Sequence, residues 1–105
     1  MLTEEQNRLL LLLATELQRI WNGPPPDKPE KMWPRPPLEM LIGIEAEQIR
    51  LALGEPEIPR PSQDSWQWCY HFHRLPKGWR GGGPSIYIRL DSDARCAGIK
   101  WRLSR

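Results

Sequence analysis

The residues best suited to chemistry in this chain lie within five positions: Cys69, His71 and His73. They recur at every second residue, so on an extended strand all three share one side. A thiolate and two imidazoles are zinc ligands, and His-x-His on a strand can share one metal ion. Zinc would need a further donor, and Cys96 is the other cysteine of the chain. The competing reading is a solvated or cross-strand-packed polar face. That reading is adopted, and no metal or other cofactor is expected. Strand geometry separates residues two apart by about 7 Å, which argues against a Cys69–His71 hydrogen bond and a thiol nucleophile. Gly81-Gly82-Gly83 lacks the Lys-Ser/Thr that completes a phosphate loop, and it precedes a strand instead of a helix. With no serine-centred motif and no paired-carboxylate set either, the chain is expected to be non-catalytic.

The elements that must position these residues follow from length and pattern. A chain of 105 residues supports a single domain with one modest core. Thr3 and Gln6 have the spacing of a capping box, and Leu9, Leu10, Leu13, Leu17, Ile20 and Trp21 recur at helical spacing. Leu11, Leu12 and Ala14 widen that apolar face. The pattern predicts a helix over 4–21, stopped by Asn22-Gly23-Pro24. Residues 22–37 then hold seven of the twelve prolines and read as a stiff, extended linker anchored by Trp33. Leu38 to Ile42 is a single turn, and Gly43 breaks it. Residues 44–53 form a second helix that buries Ile44, Ile49, Ala52 and Leu53. Gly54 suits the left-handed position after that helix, and Pro56 blocks its extension.

Strict alternation from Trp66 to His73 predicts a first strand with Trp66, Trp68, Tyr70 and Phe72 on its buried face. A hairpin loop over 74–84 leads to a strand over 85–91 with Ile86, Ile88 and Leu90 inward. Asp91-Ser92-Asp93-Ala94 is turn chemistry. The last strand, 95–103, places Ala97, Ile99, Trp101 and Leu103 inward and Cys96, Gly98, Lys100 and Arg102 outward. Short connections favour an antiparallel meander covered on one face by the helices, an α+β fold.

This order of elements resembles a known family. The helix closed by Leu53-Gly54-Glu55-Pro56, then Trp66-x-Trp68-x-Tyr70-x-Phe72, then Pro76 and Ile86-x-Ile88-x-Leu90-Asp91 are similar to the BamE (SmpA/OmlA) family of small outer-membrane assembly lipoproteins, over roughly residues 40–103. The resemblance implies two helices on a three-stranded antiparallel sheet and, as a role, an envelope assembly scaffold. The family usually carries Gly-Met-Thr where this chain has Gly43-Ile44-Glu45, and its lipoprotein signal has no counterpart in Met1–Gln6.

Charge and processing signals narrow the function. Net charge is +2, but residues 1–65 hold 7 Lys/Arg against 11 Asp/Glu, whereas residues 66–105 hold 8 against 2. Such asymmetry polarises a surface. The N-terminus lacks a basic n-region, and the apolar run Leu9–Leu13 is far shorter than a membrane span, so a cytoplasmic protein is expected. Two cysteines at strand positions are expected as packed free thiols. The leading expectation is a protein-binding module, specifically an immunity or antitoxin-type inhibitor of a toxin. Its candidate contacts are Glu45, Glu47, Glu55, Glu57 and Asp64, the loop pair Trp79 and Arg80, and the outward residues His71, His73 and Arg89. A basic sheet face of His71, His73, Arg89, Lys100 and Arg102 beside Tyr87 also suggests RNA, as a lesser alternative.

Overall fold

Thr3 starts the first helix. In the computed structural model its hydroxyl accepts from the Gln6 amide at 3.1 Å, and the Gln6 side chain accepts from the Thr3 amide at 2.9 Å, a complete capping box. The structure describes residues 2–23, 36–58, 66–73 and 83–104, without the side chains of 83, 103 and 104. Most of the proline-rich segment with Trp33, and the residues Asp64, Pro76, Trp79 and Arg80, lie outside the described residues. So does the side chain of Leu103.

Helix α1 (Glu4–Asn22) buries Leu9, Leu10, Leu13, Leu17 and Ile20. Leu11 and Leu12 do not widen that stripe: they are 67% and 46% exposed, because 100° per residue carries them off the core side. Trp21 is also half exposed, and its indole N–H reaches across to the His71 carbonyl at 2.9 Å. The Gln6 side chain donates to the Met40 carbonyl at 2.8 Å, tying the start of α1 to the 3-10 turn η1 (Leu38–Leu41).

The second helix is shorter than its apolar pattern. Helix α2 is Ala46–Leu53, because residues 43–46 are committed to a ladder instead. The Gly43 and Ala46 amides donate to Cys96 and Ala94 carbonyls, and the Cys96 amide donates to Ile44, each at 2.8 Å. Ile44, Ala46 and Ile49 are buried, while Ala52 and Leu53 pack at the margin of the core. Gly54 ends α2 by donating to the Arg50 carbonyl at 2.8 Å. Its φ of 89° is positive as expected, but ψ is −172°, an extended value rather than a left-handed helical one. That region is practically reserved for glycine.

Strands β1 (Trp68–His71), β2 (Gly83–Leu90) and β3 (Cys96–Ser104) form an antiparallel sheet in the order β1-β2-β3. Tyr70 pairs with Ile86 and Ile86 with Trp101; Trp68 pairs with Ile88 and Ile88 with Ile99. These residues, with Phe72, meet α1, η1 and α2 in one core. The fold is α+β, two helices and a three-stranded antiparallel sheet.

Two one-residue slips at the same end of the sheet overturn the simple alternation. The Gln67 amide donates to the Ile88 carbonyl at 2.9 Å although Trp68 is the residue opposite Ile88. The Gln67 side chain also accepts from the Leu90 amide. This offset turns Trp66 away from Trp68 and onto the other face. On β3, Arg89 pairs with Gly98 but Leu90 pairs with Cys96, so Ala97 is the extra residue of a bulge. The bulge buries Cys96 in the core at 1% exposure and exposes Ala97, the reverse of the expected assignment. Ile99 and Trp101 do face the core.

Candidate functional site

The side of the sheet opposite the core carries Cys69 and His71 from β1, Ser85, Tyr87 and Arg89 from β2, and Gly98, Lys100 and Arg102 from β3, in register. These positions include no carboxylate. They divide into a thiol–imidazole group at the β1 edge and an aromatic–cation group over β2 and β3.

At the β1 edge, His71 is held from both sides. Its Nε2 lies 2.7 Å from Glu57 Oε2, and its Nδ1 lies 2.8 Å from Ser85 Oγ. A carboxylate only accepts, so Nε2–H donates to Glu57, while Nδ1 and the Ser85 hydroxyl share a second hydrogen bond. The Cys69 sulfur touches the same ring, 3.9 Å from Nδ1 and 3.8 Å from Nε2. Strand spacing alone argued against that contact. The side chains close the distance that backbone spacing leaves between them. Both nitrogens have nearer oxygen partners, so the thiol packs on the ring without a directed bond to it. His73 points its Nδ1 at the Pro84 carbonyl, 3.0 Å away, and its ring meets that of His71 edge-on at 5.2 Å.

Accessibility limits what these groups can do. Ser85 has no exposed surface, so its hydroxyl cannot reach a substrate. Cys69 is 2% exposed, and burial pushes its thiol up to about 11, reinforced by the nearby Glu57 carboxylate. Burial likewise pushes Cys96 up to about 11. Both cysteines are free, on opposite faces of the sheet. The bulge thus removes Cys96 from the face where it was a possible fourth donor. Among the described residues no group of three His, Cys, Asp or Glu side chains is placed to hold a metal ion.

The four described members of the expected acidic set, Glu45, Glu47, Glu55 and Glu57, are engaged within the chain. Glu45 pairs with Arg95 at 3.4 Å, and Glu47 and Glu55 both pair with Arg50 at 2.8 Å. The hydrogen bonds that the Arg50 guanidinium donates to Glu47 and Glu55 raise the Arg50 pKa further. The Glu57 backbone also exchanges two hydrogen bonds with Cys69, at 2.9 and 2.8 Å, which covers the open edge of β1. Glu55 and Glu57 border a cavity of about 350 Å³ between α1, the end of α2 and β1. On its wall the Tyr70 hydroxyl donates to the Gly54 carbonyl at 2.8 Å, and burial raises the Tyr70 pKa.

Over β2 and β3 the arrangement is open. Trp66 meets Tyr87 edge-on at 6.5 Å. Lys100 Nζ lies 4.6 Å and the Arg89 guanidinium 5.5 Å from the Trp66 ring centre, and Arg102 lies 5.1 Å from that of Tyr87. Arg89 and Arg102 are exposed; Trp66, Tyr87 and Lys100 are half-buried. The Trp66 indole N–H is buried without a hydrogen-bond partner among the described residues. Arg89, Lys100, Arg102 and Tyr87 face outward as their alternation requires. Trp66 was missed by alternation, and nothing in its neighbours' identities signals the slip that brings it here.

No family model, no curated protein and no solved structure matches the chain. Among the described residues no helix is long and apolar enough to cross a membrane. The functional reading therefore rests on the chain's own residues.

Proposed function

We propose that the chain is a non-catalytic protein-binding module, acting in the cytoplasm as an immunity or antitoxin-type inhibitor, and that the open face of the sheet is its contact surface. One observation carries this reading: Trp66, Tyr87, Arg89, Lys100 and Arg102 stand together on one side of a sheet whose other side is fixed to the core. Trp, Tyr and Arg are the residue types that dominate binding energy at protein interfaces. A sheet braced from behind has little freedom left to lose on association. The groups with chemical potential point the same way, since Ser85 and both thiols are buried and His71 is held by Glu57 and Ser85. Glu45, Glu47 and Glu55 would have to leave internal ion pairs to serve a partner, so they weigh less as contacts than the sheet face does.

Co-expression with the product of the adjacent gene tests the reading. A stoichiometric complex on gel filtration, with relief of any growth defect that product causes, is the expected result. Trp66→Ala and Tyr87→Ala should each weaken the complex by on the order of tenfold or more, as central aromatic anchors do. Failure of the chain to bind any neighbour-encoded protein would remove the proposal.

A further inference from the structure

Resting on the protein-binding reading, the geometry points to the chemistry of the partner: we infer that the open sheet face recognises a carboxylate-rich protein surface through Arg89 and Arg102, with Trp66 and Tyr87 as the supports that aim the two guanidinium groups.

The strand positions on this face carry three cations and no carboxylate, and residues 66–105 as a whole carry 8 Lys/Arg against 2 Asp. Such a face steers toward an anionic surface and disfavours a cationic one. Position supports it next. Each guanidinium lies near an aromatic ring, Arg89 at 5.5 Å from Trp66 and Arg102 at 5.1 Å from Tyr87. Such contacts fix the planar group while leaving its in-plane N–H donors free to form paired bonds with a carboxylate.

Arg89 has a second constraint. It crosses directly over Gly98, where a Cβ would sit 3.0 Å from its Nη2 and 3.3 Å from its Cζ. The missing side chain on β3 is the space in which the guanidinium lies. The ring contacts also decide between two kinds of anion. A single-stranded nucleic acid would use Trp66 and Tyr87 as stacking platforms, which requires open ring faces. Here Lys100, at 4.6 Å, and Arg89 already approach the Trp66 ring, and Arg102 approaches Tyr87. A base would have to displace the same cations that its phosphates need, whereas a carboxylate takes their outward donors as they stand.

Fluorescence anisotropy with two labelled probes matched in length and charge, poly-L-glutamate and oligouridine, tests this directly. Polyglutamate should bind the full chain in low salt, on the order of tenfold tighter than oligouridine, and weaken as salt rises. The double variant Arg89→Glu/Arg102→Glu should lose that binding by on the order of tenfold or more. Gly98→Ala is the finer variant. It meets only the flexible end of Arg89, so circular dichroism should stay unchanged while affinity falls by roughly threefold to tenfold as the guanidinium is moved aside. Absence of polyglutamate binding, or oligouridine binding equally well or better, overturns the inference. The adjacent-gene complex separates the two proposals. If it forms with wild-type strength in the double charge-reversal variant, the carboxylate inference fails and the module reading stands; if wild-type chain forms no complex, the module reading fails and the polyglutamate arm still decides the chemistry of the face.

Discussion

On the helix-covered side of the sheet, Phe72 and Trp101 hold their rings 5.6 Å apart; on the open side, Trp66 and Tyr87 hold theirs 6.5 Å apart. The two pairs use the same class of residue at nearly the same spacing. What differs is the third party. Around Phe72 and Trp101 stand the aliphatic side chains of the core, and Tyr70 and Phe72 are each 4% exposed. Around Trp66 and Tyr87 stand Arg89, Lys100 and Arg102. Aromatic content therefore does not tell a core face from a binding face. The residues one strand over do, because a cation near a ring keeps its charge in water while covering apolar surface with its stem.

The sharpest way to break this contrast is to truncate one residue on each side. Ile86 has no exposed surface and sits in the middle of the core face. Ile86→Ala should cost about 2–5 kcal/mol in urea unfolding, with cavity formation adding to lost transfer energy. Its strand neighbour Tyr87 should cost less than about 1.5 kcal/mol when changed to Ala, while weakening partner binding. Equal losses of stability would mean that the open face belongs to the core.

A second substitution probes how the helices are fixed over the core side. Gly54→Ala should cost about 1–3 kcal/mol, because φ is 89° in a region that L side chains rarely occupy. No neighbouring atom lies where its Cβ would go, so the cost is backbone strain alone. The same turn offers its carbonyl to the Tyr70 hydroxyl, so strain there also loosens α2 from β1. Tyr70→Phe should therefore soften the effect of Gly54→Ala in a double-mutant cycle, and strict additivity would show that the two are uncoupled.

Much of the core side was legible in the sequence. Thr3 and Gln6 marked the start of α1, Gly54 marked the end of α2, and Trp68, Tyr70 and Phe72 named their face by alternation. The open side was legible only in part, because alternation presumes an unbroken register. Tyr87, Arg89, Lys100 and Arg102 lie in the regular part of the ladder, to one side of both slips, and came out as expected. Trp66, Cys96 and Ala97 lie at or beyond them and came out reversed. The His71 contacts were hidden for another reason. Glu57 and Ser85 each stand fourteen residues away along the chain, and only strand pairing brings them to the ring. Likewise the acidic residues were read as a surface, whereas folding supplies Arg50, Arg95 and His71 as their partners.

Each face also hides one thiol, and pH should affect both alike. Burial pushes Cys69 and Cys96 each up to about 11, and burial raises Tyr70 as well. In the unfolded chain a thiol ionises near its ordinary value of about 8.5. Below that pH both states hold the proton and the full stability is present. As pH rises further the unfolded chain releases its protons first, so stability should fall progressively until pH passes about 11, the value of the folded thiols. Urea midpoints measured between neutral pH and pH 11 check the sign; a midpoint that rises with pH would contradict it. At pH 8 a thiol-specific disulfide reagent should react with both cysteines far more slowly in native than in denatured protein, on the order of 100-fold. Rapid labelling of Cys69 alone would show that the open face admits reagents, which would reopen the contact with His71 as chemistry.

The smallest effect concerns the hairpin that sets which residues of β3 face the partner. Ala94 has φ 57°, a left-handed conformation in a residue with a Cβ, and it is the only such non-glycine among the described residues. It is held there because Asp91 Oδ1 accepts from the amides of Asp93, at 2.9 Å, and Arg95, at 3.0 Å, while the Ala94 carbonyl accepts from Ala46. Ala94→Gly removes the steric cost of that conformation and adds some freedom to the unfolded chain, for a net gain of about 0.5–1 kcal/mol. The bulge at Ala97 lies just beyond this turn, so relief at Ala94 should leave the register of Gly98 opposite Arg89 in place. The variant is then expected to raise the urea midpoint without changing polyglutamate binding. If affinity moved together with stability, the strained turn would be part of what positions the open face, and the independence of the two faces would fail at the hairpin that joins β2 to β3.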